Sequence, residues 1–187
     1  MVKSWVVTSV INLFISGLLG FLLRISQLYN FEFPYGNFLH AHSHIAILGW
    51  LYLSFFTLIY SRFIPKNRKN KASYTITFWI TQFSVIGMMC SFPIQGYAFF
   101  SIAFSTLHVF CSYYFYLITW KNISSFSSPD ILFLKTSLVL MFISTLGIWA
   151  IPFVGKNSFL YPIAIQFFLH FQINGWFLFA LFALLLY

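Results

Sequence analysis

Very few residues of this sequence could do chemistry. Among 187 residues there are only two carboxylates, Glu32 and Asp130, and two thiols, Cys90 and Cys111, so the side chains that bind a metal or exchange a proton near neutral pH are chiefly five histidines. These are His40, His42, His44, His108 and His170. Neutral imidazole is a ligand for haem iron, and for copper or zinc, whereas magnesium or calcium would want oxygen ligands. His40 and His44 stand four apart and would share one face of a helix, a spacing that can hold one metal, while His42 points roughly opposite. At most two of that triplet therefore serve one site. His108 and Cys111 are three apart and would also share a face, and Met88, Met89 and Cys90 offer soft sulfur suited to cuprous copper. Filling space between helices is the simpler account of those sulfur residues.

Two of the histidines open the same pattern. His44, Gly49 and Trp50 in HIAILGW match His170, Gly175 and Trp176 in HFQINGW, with Ile47 opposite Ile173 and Phe56 opposite Phe182, at a constant offset of 126 (170 minus 44). The glycines could let a neighbouring helix, or a flat ligand, approach the backbone. The competing account is that Gly-Trp is a packing motif shared through similar apolar composition.

What must position these residues follows from the rest of the chain. It is 60% apolar, 24% aromatic and only 6% charged, with a mean hydropathy of +0.87, which no water-soluble domain could expose. The formal charge of +8 therefore reads as flanking charge for membrane spans rather than as a nucleic-acid surface. Both cysteines lie in apolar runs, so no disulfide framework or C-x-x-C site is present. The first apolar stretch lacks a small-x-small cleavage site and is longer than a signal-peptide core, so it reads as a retained span.

Runs of about 20 apolar residues predict six transmembrane helices: Trp5 to Ile25, Phe38 to Tyr60, Tyr74 to Phe92, Gly96 to Trp120, Ile131 to Ala150 and Pro162 to Tyr187. Pro93, Pro152 with Gly155, and Pro162 mark tight connections. The fold class is then an all-α polytopic membrane bundle, a single transmembrane domain over residues 1–187, carrying a repeat at a four-helix interval. Lys3, Arg62, Lys66, Arg68, Lys69, Lys71, Lys121 and Lys135 fall on one side against Arg24 and Lys156 on the other, so the positive-inside rule puts both chain ends in the cytoplasm. All five histidines then lie in even-numbered spans, with His44 and His170 at a similar depth, roughly 9 to 12 Å from the outer ends at 1.5 Å per residue. Histidine inside a span is a functional candidate by default. For His40 and His42 the bland alternative is a headgroup position, and for His108 a hydrogen bond between helices. The last residues, Leu184 to Tyr187, are still apolar, as expected of a fragment or of one half of a twelve-helix protein.

The stretch HAHSHIAILGW resembles the H-A-H-x-x-x-x-G segment of NnrS-type membrane haem proteins and, more broadly, the second helix of the haem-copper oxidase subunit I superfamily, which includes nitric oxide reductase. That resemblance covers two helices closely and the six-span topology. It implies a twelve-helix fold repeating in four-helix steps, with His44 as a haem ligand and His170 facing copper or a second haem. Two departures matter. The later histidines of a binuclear centre have no counterpart in these residues, and Asn174, not Tyr, follows His170 by four, with no carboxylate in any span. A proton-pumping terminal oxidase is therefore not expected.

The expectation is an integral membrane protein, in a bacterial inner (plasma) membrane, that binds haem and also copper as an alternative metal, in respiratory electron transfer or nitric oxide handling. Its site residues would be His44, His170, Gly49, Gly175, Trp50 and Trp176, with His40, His42, His44, His108 and His170 as metal candidates. Lipid, other membrane subunits and a redox partner are the expected partners; nucleic acid is not. Two other classes remain open. A small transporter or channel would use the histidines with Gln82, Gln166, Gln172 and Asn174 to line a path, and a structural subunit would pack its aromatic surface on partner helices. Whether the chain is an enzyme is left undecided, because no Ser-His-Asp set, phosphate-binding glycine loop or carboxylate pair appears.

Overall fold

The computed structural model describes residues 1–29, 33–65, 67, 70–123, 128–155 and 157–187. It is all-helical, with no strands among the described residues and six helices long and apolar enough to cross a membrane. They are α1 (Val2–Leu28), α2 (Tyr35–Phe63), α3 (Lys71–Gln95), α4 (Phe99–Asn122), α5 (Pro129–Phe153) and α6 (Leu160–Leu186). At 24 to 29 residues each is about 36 to 44 Å long, more than the hydrocarbon core requires. Helix is the form that satisfies every backbone group within the segment when lipid offers no hydrogen bonds. Of the charges used to orient the chain, Lys66, Arg68, Lys69 and Lys156 lie outside the described residues, as does Glu32.

The helix ends follow local chemistry. Asn70 caps α3 by accepting from the Ser73 amide at 3.2 Å. Pro129 opens α5 at its first position, where a missing N–H costs nothing. Two boundaries differ from the sequence expectation. Pro93 lies inside α3, which continues to Gln95, because the one bond it removes falls in the final turn. The stop is Gly96, with φ of +60°, where a Cβ would also lie 2.6 Å from Asn37 Oδ1. Gly96 is thus a turn residue rather than the start of the fourth span.

The chain forms two compact units. The first comprises Met1–Ser61 and Asn70–Phe115; the second comprises Arg62–Lys69 and Tyr116–Tyr187. In the first, α1 is organised for lipid as solvent: Trp5, Ser9, Asn12, Ser16 and Leu23 are buried on one stripe, while Val7, Val10, Phe14 and Phe21 are exposed on the other. The buried hydroxyls are inexpensive because they bond carbonyls of their own helix, as Ser9 does to Trp5 at 3.0 Å. At one end Trp5 stacks on Phe78 at 4.7 Å and meets Phe56 edge-on at 5.6 Å, and Phe56 stacks on Phe115 at 4.3 Å. Nearer the other end Ala41, Val85, Met88 and Phe92 form the apolar core.

The second unit is built on the α5–α6 hairpin. Gly147 lets the helices touch: a Cβ there would lie 2.5 Å from the Ala164 carbonyl oxygen and 3.0 Å from the Phe168 amide nitrogen. Small residues at a helix interface are how bundles gain close packing in a solvent as apolar as their side chains. Ser137, Ser144 and Thr145 continue that face of α5, and Ala164, Gly175, Ala180 and Ala183 that of α6.

Candidate functional site

The helical ladder widens at two places. Residues Ile45–Leu51 of α2 and Phe171–Phe177 of α6 are π turns, each of seven residues. Each begins directly after a histidine, His44 or His170, and their bounds differ by 126 (171 minus 45, 177 minus 51). The repeat read from side chains is therefore present in the backbone, and π turns inside helices tend to occur at functional sites.

In the first unit the histidine triplet divides by face. The His40 ring lies 4.6 Å from Tyr97, and the His44 ring 4.4 Å from Phe92 and 5.9 Å from Tyr97, so both use the wall at the end of α3. His42 turns to α1, where its Nδ1 donates to the Ser16 carbonyl at 2.8 Å and its ring fills the space over Gly20. His44 Nδ1 donates to the His40 carbonyl at 2.9 Å. The proton is thereby placed on Nδ1 and the lone pair on Nε2, the arrangement in which a histidine ligates a metal through Nε2 with its other nitrogen braced.

His108, only 2% exposed, has both ring nitrogens engaged. Nε2 donates to the Leu48 carbonyl and Nδ1 faces Ser112 Oγ, each at 3.4 Å. Tyr52 closes on the ring edge-on at 4.7 Å. Leu48, the partner of His108, belongs to the π turn, and the next carbonyl, of Gly49, accepts from Asn12 Nδ2 at 3.0 Å. Asn12 and Gln82 exchange two amide hydrogen bonds, at 2.8 and 3.3 Å, so one polar cluster joins α1, α2 and α3. Gly49 serves helix approach: an added Cβ would lie 2.8 Å from Val85 Cγ1 and 3.3 Å from Asn12. Trp50 is half-buried.

The second unit repeats the backbone with other side chains. His170 is exposed in an open groove of about 490 Å3 lined by Pro162, Ile163, Gln166, Phe167 and Phe171 of its own helix. Asn174 Nδ2 donates to His170 Nδ1 at 3.3 Å, which places the ring proton on Nε2. Metal ligation through Nε2 needs the other tautomer, which the same amide would support with its oxygen turned to Nδ1. Gln172, buried in the π turn, accepts from Ser144 Oγ at 3.0 Å. Gly175 packs against Leu140, whose Cβ would be 3.1 Å from an added one, and Trp176 is wholly buried. His44 belongs to the first unit and His170 to the second.

Among the described residues no three of His, Cys, Asp and Glu converge on one point. Cys90 is exposed and Cys111 buried, and Met88 accepts from Ser105 Oγ at 3.3 Å, so that sulfur is already employed in packing.

One participant escaped the sequence reading. Asn12 is the only amide between Trp5 and Ile25, and it sits in TSVINLFIS (residues 8–16), which matches TSLVLMFIS (residues 136–144) at five of nine positions with an offset of 128 (144 minus 16). The amide stands where the second copy has Leu140, a contrast that the sequence carries in plain view. Compared with known proteins, the chain matches no family model, no curated protein and no solved structure.

Proposed function

We propose that this chain is an integral membrane haem-binding protein of the respiratory or nitric oxide handling type, with His44 as the ligand to iron. The observation that carries the reading is the bond from His44 Nδ1 to the His40 carbonyl, which leaves Nε2 with its lone pair inside a span. A neutral nitrogen beside the aromatic faces of Phe92 and Tyr97 suits a flat, largely apolar macrocycle that supplies its own four nitrogens. His170, which heads the repeated π turn, is the candidate ligand of the second unit. When bound, haem would supply electron transfer or the binding of a small diatomic gas. The chain's own residues would hold the imidazole, fix its proton on Nδ1 and keep water away. A redox partner, further membrane subunits and residence in a bacterial plasma membrane belong to the same proposal.

The test is optical. Protein purified from haem-supplied cells should show a Soret band that shifts on reduction with dithionite. His44→Ala should lose it, whereas His42→Ala, which removes a ring committed to Ser16, should keep it. A colourless wild-type preparation, or a His44→Ala spectrum identical to wild type, refutes the proposal.

A further inference from the structure

A π turn adds about one residue to a helical turn, so everything after it is rotated by roughly 100° relative to an uninterrupted α-helix. In α2 the turn Ile45–Leu51 thus sets how His44, on one side, is aimed relative to Tyr52 and Phe56 on the other. A carbonyl that loses its helical partner at such a turn gains from a side-chain donor on a neighbouring helix, because lipid offers none, and that donor then ties the turn to the helix that supplies it. Two side chains from other helices are such donors: Asn12 of α1 to the Gly49 carbonyl at 3.0 Å, and His108 of α4 to the Leu48 carbonyl at 3.4 Å. Both donors are almost fully buried, at 3% and 2% exposure. Gln82 holds the Asn12 amide in register through two further bonds. The second unit shows the alternative. There Leu140 stands at the position of Asn12 and packs its side chain on Gly175, whose carbonyl accepts from the Leu178 backbone N–H.

We infer that Asn12 and His108 are positioning residues for His44: their donors cap two consecutive carbonyls of the π turn and so fix the rotation that aims the imidazole, while the matching turn beyond His170 meets Leu140 where the first meets Asn12. This rests on the haem reading only for what His44 is aimed at. It assigns His108 a structural donor role, with both ring nitrogens spent, in place of metal ligation.

The experiment uses the full chain in lipid-containing micelles. In Asn12→Leu, which copies the second unit's own residue, amide hydrogen exchange over 45–51 should accelerate by about tenfold or more while that over 171–177 stays unchanged. The ring signals of His44 in protein labelled with 13C and 15N at histidine should move as well. His108→Leu should act like Asn12→Leu, and His108→Gln, which keeps an N–H donor but no imidazole, should restore both readouts. In haem-loaded protein the Leu variants should keep the pigment with a changed spectrum and midpoint potential. Unchanged exchange over 45–51, equal acceleration in both turns, or failure of His108→Gln to restore what His108→Leu loses overturns the inference. If the wild-type chain takes up no haem, the haem reading falls, and exchange and the His44 signals alone decide the positioning role.

Discussion

Adding one methyl group at Gly49 should loosen the first unit, and removing two from Val85 should cancel the effect. The new Cβ would sit 2.8 Å from Val85 Cγ1 and 3.3 Å from the Asn12 amide carbon and nitrogen. Ordinary carbon contacts lie near 3.5 to 4.0 Å, so the overlap with valine is roughly 0.7 to 1.2 Å. Val85 cannot swing aside. It is β-branched in a helix, with one strongly preferred rotamer, and it is 1% exposed in the core with Ala41, Met88 and Phe92. Overpacking of this kind costs about 1 to 3 kcal/mol, partly offset by the roughly 1 kcal/mol by which a helix prefers alanine to glycine. Gly49→Ala alone should therefore be net destabilising by about 1 to 2 kcal/mol from the upper part of that range. In a Val85→Ala background the severe overlap is gone and only the 3.3 Å contact with Asn12 is left to set against the propensity gain, so the same substitution should be close to neutral or stabilising. Reversible unfolding of the four proteins in mixed lipid and detergent micelles gives the coupling energy, expected at about 1 to 3 kcal/mol. Additivity within about 0.5 kcal/mol would show that Gly49 is not needed for this approach and would refute the packing argument.

Other expectations follow from the same contacts and are read in the same assay. Gly147→Ala should cost about 3 kcal/mol, the top of the overpacking range, because the obstruction is the Ala164 carbonyl and Phe168 amide of the backbone, and truncating Phe168 should not relieve it. Gly17→Ala, where nothing lies within 4 Å, should stabilise by up to about 1 kcal/mol. Gln82→Leu should cost about 1 to 3 kcal/mol by leaving the Asn12 amide oxygen without its donor, and adding Asn12→Leu should recover only part of it, since the amide pair is then gone on both sides but the Gly49 carbonyl loses its Asn12 donor.

The spans were legible because lipid imposes so strong a demand on composition. Runs of apolar residues place all six helices, and the misses at Pro93 and Gly96 concern single turns, where a lost bond near a helix end is too small to be read from residue type. The opposition of His42 to His40 and His44 was legible too, since it depends only on helical rotation. The pairing of His42 with the Ser16 carbonyl, and of His108 with that of Leu48, was not, because which groove a side chain meets depends on how neighbouring helices cross. The π turns themselves carry no residue signature beyond the repeat. What marks them is the coincidence of histidine, glycine and tryptophan at one offset, and only the backbone shows that this coincidence includes a change of helical pitch.

Set side by side, the two hairpins argue that the repeat preserves a backbone device while varying what holds it. Ser9 and Ser16 on α1 and Ser137 and Ser144 on α5 are all buried at the same offset, so the packing frame is common to both. Within that frame Asn12 gives way to Leu140, His42 to Phe168 and Ala46 to Gln172, and with each exchange a polar contact leaves the neighbouring helix or a new one forms, as from Ser144 to Gln172. Were the π turns only accidents of packing, the shared frame would need to conserve their side-chain supports. Instead the supports differ and the turns do not, in each case immediately beyond a histidine, which is the pattern expected if the position of that imidazole, rather than any particular contact around it, is the property the fold maintains.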